Sequence, residues 1–563
     1  MDTWFNTQPS LLQGELDRLV DMDASFEIDE NEKAKGYLVV HVHYLIEDEV
    51  LNLVCRYPDS YPYFPFEIKC ENFPEGRHLE PAGKSLCLFA DKHNSWDISN
   101  DTLAGIIENQ VKKIYYIHKS PDTLSEHENG IEGYQPSGQL QTESNSVIIT
   151  VNEKPPISNN GRGEIKLNNI KKYNEAITGC FNIAYENNND ISFTSESNYH
   201  QRLPKKSQIR WVKLNAAIQS TNGKQLLAQV INEYPAMKTP IYTKMGGIKI
   251  DIIAVCFQEE TTRNKIDYNW VFIVRRAWKD KGKKESIILV KSDHIHPKYL
   301  LARTPNLIGL SEKKVVIIGL GALGSHVAWQ LARAGVKNFT FVDKDYLQAG
   351  NLQRWLMGLP YIGMAKSEAV AHILNNNYLD IQVNPINLEI GSAFPIQRNA
   401  SGNMISVQDV LIYEILSDVD ILIDCTAMLN VNQYLAHLCK KQKIDYVWSS
   451  ATNGAWGGIV GQSPASYPND VWLDFNMDYG RGTIPPIATE VEDFVQPKGC
   501  FHPTFTGAGF DLDTISIMTT RMAISLLQDV KYGTFNCDVA ILEQWENNIP
   551  IAPKWKELVY RNG

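Results

Sequence analysis

An apolar run that ends in a glycine-rich turn constrains the fold of this chain more than any other feature of its sequence. Residues 315–324 read Val-Val-Ile-Ile-Gly-Leu-Gly-Ala-Leu-Gly, and residues 325–333 continue with the apolar spacing of a helix. Closely spaced glycines between a buried strand and a helix let the backbone and the helix N-terminus approach a phosphate. The pattern predicts a nucleotide site in a parallel α/β sheet, with Gly319, Gly321 and Gly324 against the nucleotide.

The polar residues that follow the next predicted strand do not suit a dinucleotide enzyme. Residues 339–343 form that strand, and its final Asp343 can accept hydrogen bonds from ribose hydroxyls, as in NAD sites. Four further polar side chains come soon after it: Asp345, Asn351, Arg354 and Lys366. Because hydride transfer has no use for such a cluster, we disfavour an NAD-dependent oxidoreductase.

The composition excludes several classes of protein. The 563 residues carry 54 Lys and Arg against 65 Asp and Glu, a formal net charge of −11, and no basic run with interleaved aromatics marks a nucleic-acid groove. No stretch reaches the roughly 18 apolar residues of a membrane span, and the first ten residues lack the regions of a signal peptide. We therefore expect a cytoplasmic protein that binds neither nucleic acid nor membrane directly.

The nine cysteines form no Cys-x-x-Cys pair. Structural zinc sites commonly use such pairs, so zinc is not expected, and neither is a disulfide framework. In a reducing compartment, single cysteines are candidates for thiol chemistry.

The length predicts about three to four domains, and the first of three recognisable regions covers residues 1–140. Its pattern predicts an α+β domain with a helix over 11–21, strands near 36–44 and 50–56, and a helix near 102–117.

The other two regions differ in their periodicity. Residues 141–304 contain strand-like apolar runs between polar loops, which is compatible with an α/β or α+β linker domain of unknown role. Residues 305–563 alternate strands with helices, which predicts a doubly wound α/β sheet.

The third region can supply the parts needed to adenylate a carboxylate with ATP. This chemistry needs a cradle for the phosphates, a metal ion to neutralise them, and cationic side chains that stabilise departing pyrophosphate. Asn351, Arg354 and Lys366 can face the phosphates, with Arg354 and Lys366 in catalytic roles. Asp424, which follows the apolar run 421–423, can hold Mg²⁺. ATP and Mg²⁺ are the expected cofactors.

The order of these motifs resembles the superfamily of ThiF, MoeB and the ubiquitin-activating enzymes. The motifs are Gly-x-Gly-x-x-Gly, Asp-x-Asp, Asn-Leu-Gln-Arg, Gly-x-x-Lys and Asp-Cys-Thr, within residues 305–530. The resemblance implies a Rossmann-like ThiF fold, adenylation of the C-terminal glycine of a ubiquitin-like protein, and a homodimer. Many bacterial relatives carry two Cys-x-x-Cys zinc pairs, which this chain lacks.

Cys500 is the candidate nucleophile of the third region. Its neighbours, Pro-Lys-Gly before it and Phe-His-Pro after it, predict an accessible loop. Lys498 and His502 would favour the thiolate form, although a loop cysteine without chemistry is the alternative. The resemblance to ubiquitin-activating enzymes implies that Cys500 captures the activated acyl group as a thioester. Cys425 is better explained as a small core residue.

A second thiol lies in the first region. The turn Tyr-Pro-Tyr-Phe-Pro-Phe at residues 61–66 is followed by His78, by Gly-Lys-Ser-Leu-Cys-Leu with Cys87, and by Trp96. By itself, a cysteine between leucines is typical of a buried strand. The order of these elements resembles the ubiquitin-conjugating enzymes over residues 1–120, which implies that Cys87 carries an acyl group as a thioester.

The first region departs from that family beside its cysteine. The His-Pro-Asn triplet of conjugating enzymes is His-Leu-Glu at residues 78–80. The asparagine that stabilises the oxyanion in the family is therefore missing, and His78, Asn94 or backbone amides would have to replace it.

A chain with a conjugating-like domain first and a ThiF-like domain last resembles a bacterial fusion encoded in anti-phage CBASS operons. Members of that family attach the C-terminus of a cGAS/DncV-like nucleotidyltransferase to a target amine, which primes cyclic-nucleotide signalling. The resemblance implies adenylation in the third region, thioester capture on Cys500, transfer to Cys87 and amide formation.

Two alternatives stay open. The ThiF-like region could activate a small sulfur carrier for thiolation, with the first region only docking it. The chain could instead be a nucleotide-gated binding module whose conjugating-like domain is inactive, as the missing asparagine would permit.

Overall fold

A computed structural model describes most of the chain, which forms two compact units, one built mainly from residues before Pro297 and one built from Pro297–Gly563. The residues described are 3–22, 24–74, 78–79, 84–89, 95–119, 137, 140–150, 156–168, 177–185, 191–194, 203–215, 218, 220–262, 265–279, 283–295, 297–356, 358–391, 396–398, 401–402, 404–484, 494–495, 504–505 and 507–561. Within these ranges, no helix combines the length and the apolar character needed to cross a lipid bilayer.

The first region is an α+β arrangement around a four-stranded antiparallel sheet in the order β1-β2-β3-β4. Its elements are α1 (Trp4–Thr7), α2 (Pro9–Asp21), β1 (Ser25–Ile28), α3 (Glu30–Ala34), β2 (Val39–Ile46), β3 (Glu49–Arg56), β4 (Glu67–Cys70), α4 (Leu103–Ile106), a π-helical turn (Ile107–Val111) and α5 (Lys112–Lys119). The helix predicted over 11–21 and the strands predicted near 36–44 and 50–56 are confirmed as α2, β2 and β3.

One face of this sheet is buried because apolar side chains alternate along its strands. In β2, Val40, Val42, Tyr44 and Ile46 are buried, and the residues between them are more exposed. This period of two places one side of the strand in the core and the other toward solvent.

The middle region is a barrel of mixed parallel and antiparallel strands. Its elements are β5 (Thr142–Thr150), β6 (Asn160–Leu167), β7 (Thr178–Tyr185), β8 (Ile191–Thr194), β9 (Lys205–Lys213), α6 (Gly223–Glu233), β10 (Thr243–Met245), β11 (Ile248–Thr262), β12 (Lys265–Lys279) and β13 (Lys283–His294). From β11 the pairing runs through β12, β13, β5, β7, β6 and β9, and β9 pairs with β11 again, which closes the ring.

The barrel interior and its outer layer explain the long apolar run in β11. Ile252 and Ala254 face a core that includes Phe181 and Trp211. The intervening residues, such as Ile253, pack in a second cluster with side chains of α6. Both faces of the strand are therefore buried, and its sequence is continuously apolar.

The barrel differs from the α/β or α+β domain expected for this region. Strands dominate, and α6 is the one α-helix among its described residues of more than one turn. The closure depends on pairs such as Ile253 with Arg210, which lie far apart in sequence. Local periodicity could indicate strands here but not their closure into a barrel.

The second unit contains the doubly wound sheet that was predicted from residue 305 onward. Its elements are α7 (Pro297–Leu300), β14 (Lys314–Ile318), α8 (Ala322–Ala334), β15 (Asn338–Asp343), α9 (Lys366–Asn377), β16 (Gln382–Asn387), β17 (Ile396–Arg398), β18 (Met404–Ser406), α10 (Val407–Leu416), β19 (Ile421–Asp424), α11 (Leu429–Gln442), β20 (Asp445–Thr452), β21 (Gly457–Ser463), α12 (Val471–Arg481), β22 (Phe494–Val495), β23 (Thr504–Phe505), α13 (Gly509–Leu527), α14 (Asp529–Tyr532), β24 (Val539–Glu546) and β25 (Ile549–Leu558).

The order of the eight main strands creates a crevice at the end of β14. The sheet runs β16-β15-β14-β19-β20-β21-β24-β25, with the first five strands parallel and the others antiparallel. The chain proceeds outward from β14 to β15 and β16, and then returns to the opposite side of β14 at β19. Ligands of open α/β sheets bind at such a switch point, outside the carboxyl ends of the strands.

Both faces of the sheet are covered, as expected for parallel strands. Val315 and Ile317 of β14 pack on one side with side chains of α8 and α13. Val316 and Ile318 pack on the other side with side chains of α10, α11 and α12. The core therefore holds β14 rigidly, and the turn that follows it is fixed in place.

Candidate active site

The glycine turn after β14 is packed tightly on one side and open on the other. Gly319 has a φ of +85°, and a Cβ there would lie 2.8 Å from the Cys425 carbonyl carbon and the Thr426 nitrogen. A Cβ on Gly324 would lie 1.9 Å from the Gly319 oxygen, but a Cβ on Gly321 would have no heavy atom within 4 Å. Gly321 therefore presents bare backbone to the crevice, where a phosphate can approach.

Asp343, at the end of β15, holds the glycine turn. Its Oδ2 accepts a hydrogen bond from the Leu320 N–H at 2.6 Å, and its Oδ1 accepts one from the Asp345 N–H at 2.8 Å. Burial raises the pKa of Asp343, while the charge of Lys366 and these two N–H groups act in the opposite direction. Each oxygen keeps a further lone pair, so the carboxylate can still accept from a ribose hydroxyl.

Lys366 brings a positive charge to the same place. It is the first residue of α9 and only 9% exposed, and its Nζ lies 2.8 Å from Asp345 Oδ2. The backbone N–H of Lys366 also donates to the Asp345 carbonyl oxygen at 2.9 Å. Asp345 and Lys366 are 21 positions apart in the sequence, and the structure joins them as an ion pair.

These residues line a cavity of about 160 Å³ at the ends of β14, β15 and β19. Its wall includes Gly319, Gly321, Asp343, Asp345, Lys366 and Thr426. Clefts that enclose a small molecule are typically about 300–1,000 Å³. A nucleotide would therefore fill the cavity and extend along its open side at Gly321.

Asn351 and Arg354, which were predicted to face the phosphates, are not among the residues of the cavity wall. Asn351 accepts a hydrogen bond from the Gln348 N–H at 2.9 Å within a short 3₁₀ turn. Arg354 is partly buried, and burial lowers the pKa of its guanidinium. Both belong to a segment that would have to present them to a nucleotide extending out of the cavity.

Trp355 ties that segment to the glycine turn, and its role was not predicted from the sequence. The indole Nε1–H donates to the Leu320 carbonyl oxygen at 2.8 Å, and the ring is buried. The N-terminus of α13 packs closely against the same segment, because a Cβ on Gly509 would lie only 3.0 Å from the Gln353 carbonyl oxygen. The aromatic residue directly after the Asn-Leu-Gln-Arg motif was the available signal.

Asp424 lies at the end of β19 and is fully buried. Its Oδ1 accepts from the Thr426 N–H at 2.9 Å and the Thr426 hydroxyl at 2.7 Å. Its Oδ2 accepts from Asn432 Nδ2 at 2.7 Å and from the Tyr446 hydroxyl at 3.0 Å. Burial raises the pKa of Asp424, and these four hydrogen bonds lower it.

This environment does not fit the Mg²⁺ ligand expected at Asp424. A metal ligand needs oxygen lone pairs directed at a space that the ion can enter, and all four donors around this carboxylate belong to the protein. Asp424 is also absent from the cavity wall, which its neighbours Cys425 and Thr426 do reach. Across the described residues, no group of three or more His, Cys, Asp or Glu side chains is arranged to hold a metal ion.

Cys425 is a core residue, as its sequence context indicated. It is 7% exposed, and burial raises the pKa of its thiol to about 12. A thiol in that state is a poor nucleophile.

Cys87 is the accessible thiol among the described cysteines. It is partly buried, whereas Cys55, Cys70, Cys180, Cys256, Cys425, Cys439 and Cys537 are buried. Its N–H donates to the carbonyl oxygen of His78 at 2.8 Å, so these two residues lie side by side. The Nε1–H of Trp96 donates a hydrogen bond to the Pro62 carbonyl oxygen at 2.7 Å.

Several predicted site residues lie outside the described residues. They are Cys500 and its neighbours Lys498 and His502, and Asn94 near Cys87. Their roles stay predictions.

The ThiF family model matches residues 299–470, which contain β14 to β21 and every residue of the cavity wall named above. The chain is 31% identical to the uncharacterized protein y4oA of Sinorhizobium fredii over 357 residues, which are 62% of this chain and 59% of that protein. It is 27% identical to the ATP-dependent ubiquitin transferase-like protein Cap2 of Enterobacter hormaechei over 250 residues, 44% of this chain and 38% of that protein.

Two further similarities are to an adenylyltransferase and to a solved structure. The molybdopterin-synthase adenylyltransferase of Haemophilus influenzae is 30% identical over 144 residues, 25% of this chain and 52% of that protein. A crystal structure of E. coli MccB with AMPCPP and MccA covers 45% of this chain and 66% of that chain, with 16% identity and a TM-score of 0.32. The matched stretches thus span at most 59% of the three named relatives.

Proposed function

We propose that this chain uses ATP to adenylate the C-terminal carboxylate of a protein. The main observation is the cavity at the switch point of the sheet, whose wall combines the bare backbone of Gly321 with Asp343 and Lys366. The match of the same residues to the ThiF family supports this reading, as does the similarity to an adenylyltransferase and to an ATP-dependent transferase-like protein.

Different residues of the cavity wall contact different parts of ATP. Asp343 accepts from the ribose hydroxyls, and the backbone from Gly319 to Gly324 lies against the phosphates at the N-terminus of α8. Asp345 holds Lys366 in place until a phosphate oxygen competes for its Nζ. Asn351 and Arg354 contact the part of the nucleotide that extends beyond the cavity.

The substrate carboxylate oxygen then attacks the α-phosphorus, the bond to the bridging oxygen of the β-phosphate breaks, and pyrophosphate leaves. Lys366 and Arg354 stabilise the negative charge that develops on the phosphates. Stabilisation of developing charge by fixed polar and charged groups is usually the largest single contribution to catalysis. Mg²⁺ bound to ATP would screen the same charge.

The later steps use the two thiols. The Cys500 thiolate attacks the acyl carbon of the acyl-adenylate and releases AMP, and the Cys87 thiolate then takes the acyl group in a thioester exchange. An amine of the target attacks the Cys87 thioester, forms an amide and frees the thiol. The partial exposure of Cys87 supports this role, because transfer requires a sulfur that a second chain can reach.

The domain assignment follows from these roles. Residues 1–140 form a conjugating-like domain, residues 141–304 a linker domain, and residues 305–563 the adenylation domain. We assign the activated protein to the cGAS/DncV-like nucleotidyltransferases of anti-phage defence, with the chain acting as a cytoplasmic homodimer. Fusing the domains raises the effective concentration of one thiol for the other.

A test of the proposed function is ATP–pyrophosphate exchange with candidate protein C-termini. We expect exchange that depends on a free C-terminal carboxylate, and a matched substrate with an amidated C-terminus serves as the control. Exchange that is equal with both substrates, or absent with every nucleotidyltransferase tested, would contradict adenylation of that partner.

Activation of a sulfur carrier is a second candidate, favoured by the similarity to molybdopterin-synthase adenylyltransferase. It shares the adenylation step and differs in its product. Mass spectrometry of the product separates the two, because sulfur transfer yields a thiocarboxylate and ligation yields an amide-linked conjugate.

A further inference from the structure

The carboxylate of Asp424 connects three elements behind the cavity. It belongs to β19, Asn432 to α11 and Tyr446 to β20, and all three side chains are less than 10% exposed. The backbone N–H of Asn432 also donates a hydrogen bond to the Met428 carbonyl oxygen at 2.9 Å. Asp424 thus sits at the centre of a closed hydrogen-bonded network.

The two bonds from Thr426 fix the turn that follows β19. Oδ1 of Asp424 receives both the N–H and the hydroxyl of Thr426, and the next residue, Ala427, has a φ of +54°. This left-handed conformation is unfavourable for a residue with a Cβ, so the chain needs contacts that hold it there.

The same turn forms one wall of the cavity. Thr426 lines it, and the backbone of Cys425 and Thr426 lies so close to Gly319 that no side chain fits between them. A shift of Thr426 would therefore move the surface against which the glycine turn rests.

We propose that Asp424 is a positioning residue that fixes the cavity wall at Thr426, and that it does not bind the cation of ATP. This inference rests on the proposed function and assigns Asp424 a different role within it. To bind a cation, Asp424 would have to lose hydrogen bonds from protein donors. The other acceptors of two of these donors are more distant: the Asn432 carbonyl oxygen lies 3.3 Å from the Tyr446 hydroxyl, and Thr426 Oγ1 lies 3.5 Å from Asn432 Nδ2. Mg²⁺ retains several waters and binds the phosphates of nucleotides together with one or two carboxylates, and the cavity wall offers the half-exposed carboxylates of Asp345 and Glu389 for this.

The substitution Asp424→Asn tests the hydrogen-bonding role of this side chain separately from its negative charge. An asparagine oxygen can still accept both bonds from Thr426. Its amide N–H groups can donate to the Tyr446 hydroxyl and to the Asn432 side-chain oxygen, once the Asn432 amide has rotated. The network survives in this variant, and the negative charge needed for a cation is lost. The substitution Asp424→Ala removes both the hydrogen-bonded network and the negative charge.

The first measurement is AMP affinity in EDTA, by titration calorimetry, because no metal contributes to it. We expect Asp424→Ala to weaken AMP binding at least about tenfold and Asp424→Asn to restore it to within about threefold of wild type. Asp418→Asn, which removes a charge at an 81% exposed side chain on the opposite end of the sheet, is the matched control. Unchanged AMP affinity in a folded Asp424→Ala variant would overturn the positioning role.

The second measurement is Mn²⁺ affinity in the presence of AMPCPP, by electron paramagnetic resonance, and it needs only the Asn variant. We expect the Mn²⁺ dissociation constant of Asp424→Asn to lie within about threefold of wild type. A loss of about tenfold or more, with AMP affinity intact, would identify Asp424 as a cation ligand and overturn the inference. A wild-type chain that binds neither AMP nor AMPCPP contradicts the proposed function itself, which is a distinct outcome.

Discussion

The Nζ of Lys366 lies 2.8 Å from Oδ2 of Asp345, at the wall of the cavity that also contains the bare backbone of Gly321. The lysine side chain is 11% exposed and the aspartate side chain 53% exposed, so the pair is buried at its positive end and solvated at its negative end. An anionic ligand can therefore displace the carboxylate into water and take over the ammonium group.

The first prediction concerns this ammonium group. Lys366→Ala should reduce ATP–pyrophosphate exchange about 10²- to 10³-fold, because a fixed charge that stabilises the departing phosphates is lost. Lys337→Ala is the control, since Lys337 pairs with Asp380 away from the cavity. Exchange rates of Lys366→Ala equal to those of the control would remove Lys366 from the mechanism.

The second prediction separates two glycines of one turn. Gly324→Ala should destabilise the fold by about 1–3 kcal/mol, because its Cβ would collide with the Gly319 oxygen. Gly321→Ala should leave the free energy of unfolding nearly unchanged and weaken nucleotide binding, because its Cβ occupies open space where the phosphate approaches. Urea denaturation and AMP titration measure the two effects.

A helical glycine with free space provides the control for this pair. Gly480 lies in α12, and a Cβ there meets nothing within 4 Å. Gly480→Ala should not lower stability, since alanine is the better helix former by about 1 kcal/mol, and should bind AMP like wild type. If Gly321→Ala binds AMP as tightly as Gly480→Ala does, the phosphate does not lie against Gly321.

The parts of this site that the sequence predicted are those with a local signal. Gly319 follows β14, Asp343 ends β15 and Lys366 begins α9, and the periodicity of each element is visible in the sequence. A doubly wound sheet brings the carboxyl ends of its parallel strands together. The environment of Asp424 was not predictable in this way. The Asp424 carboxylate has all its lone pairs occupied only because the hydroxyl of Tyr446, on the neighbouring strand β20, donates to it.

The barrel of the middle region could not be predicted from the sequence for the same reason. The apolar runs indicated strands, but the number of helices and the ring closure through β9 and β11 depend on pairings between distant segments. Trp355 was missed for a similar reason, because its bond to Leu320 spans 35 residues.

The third prediction concerns stability and pH. The pKa of Asp424 is raised above its ordinary 3.8 mainly by burial, so its ionised form costs stability, and the cost disappears as falling pH protonates it. The stability of wild type minus that of Asp424→Asn should therefore increase as pH falls from about 7 toward 3.8, the ordinary value. Urea unfolding of both proteins measures it, and a difference that decreases over this range would mean that the folded state favours the carboxylate.

The fourth prediction concerns thiol access. Iodoacetamide should modify Cys87 faster than any of the buried cysteines at 55, 70, 180, 256, 425, 439 and 537, as measured by peptide mass spectrometry of the native protein. Equal labelling of Cys87 and Cys55 would show that Cys87 is enclosed in solution.

The fifth prediction tests the order of the two thiols. Cys500→Ala should retain carboxylate-dependent pyrophosphate exchange and form no thioester, whereas Cys87→Ala should accumulate a thioester on Cys500. Gel analysis with and without reducing agent detects both. Normal conjugate formation by Cys87→Ala would eliminate the relay, and loss of exchange in Cys500→Ala would indicate a structural role for that cysteine.

The most direct test of adenylation follows the oxygen atoms of the substrate. A protein substrate labelled with ¹⁸O in its C-terminal carboxylate is incubated with ATP and the chain, with hydroxylamine present to capture the activated acyl group. Attack of the carboxylate on the α-phosphorus predicts one ¹⁸O atom in the phosphate of the released AMP, measured by mass spectrometry. Label in inorganic phosphate, or AMP without label, would contradict it.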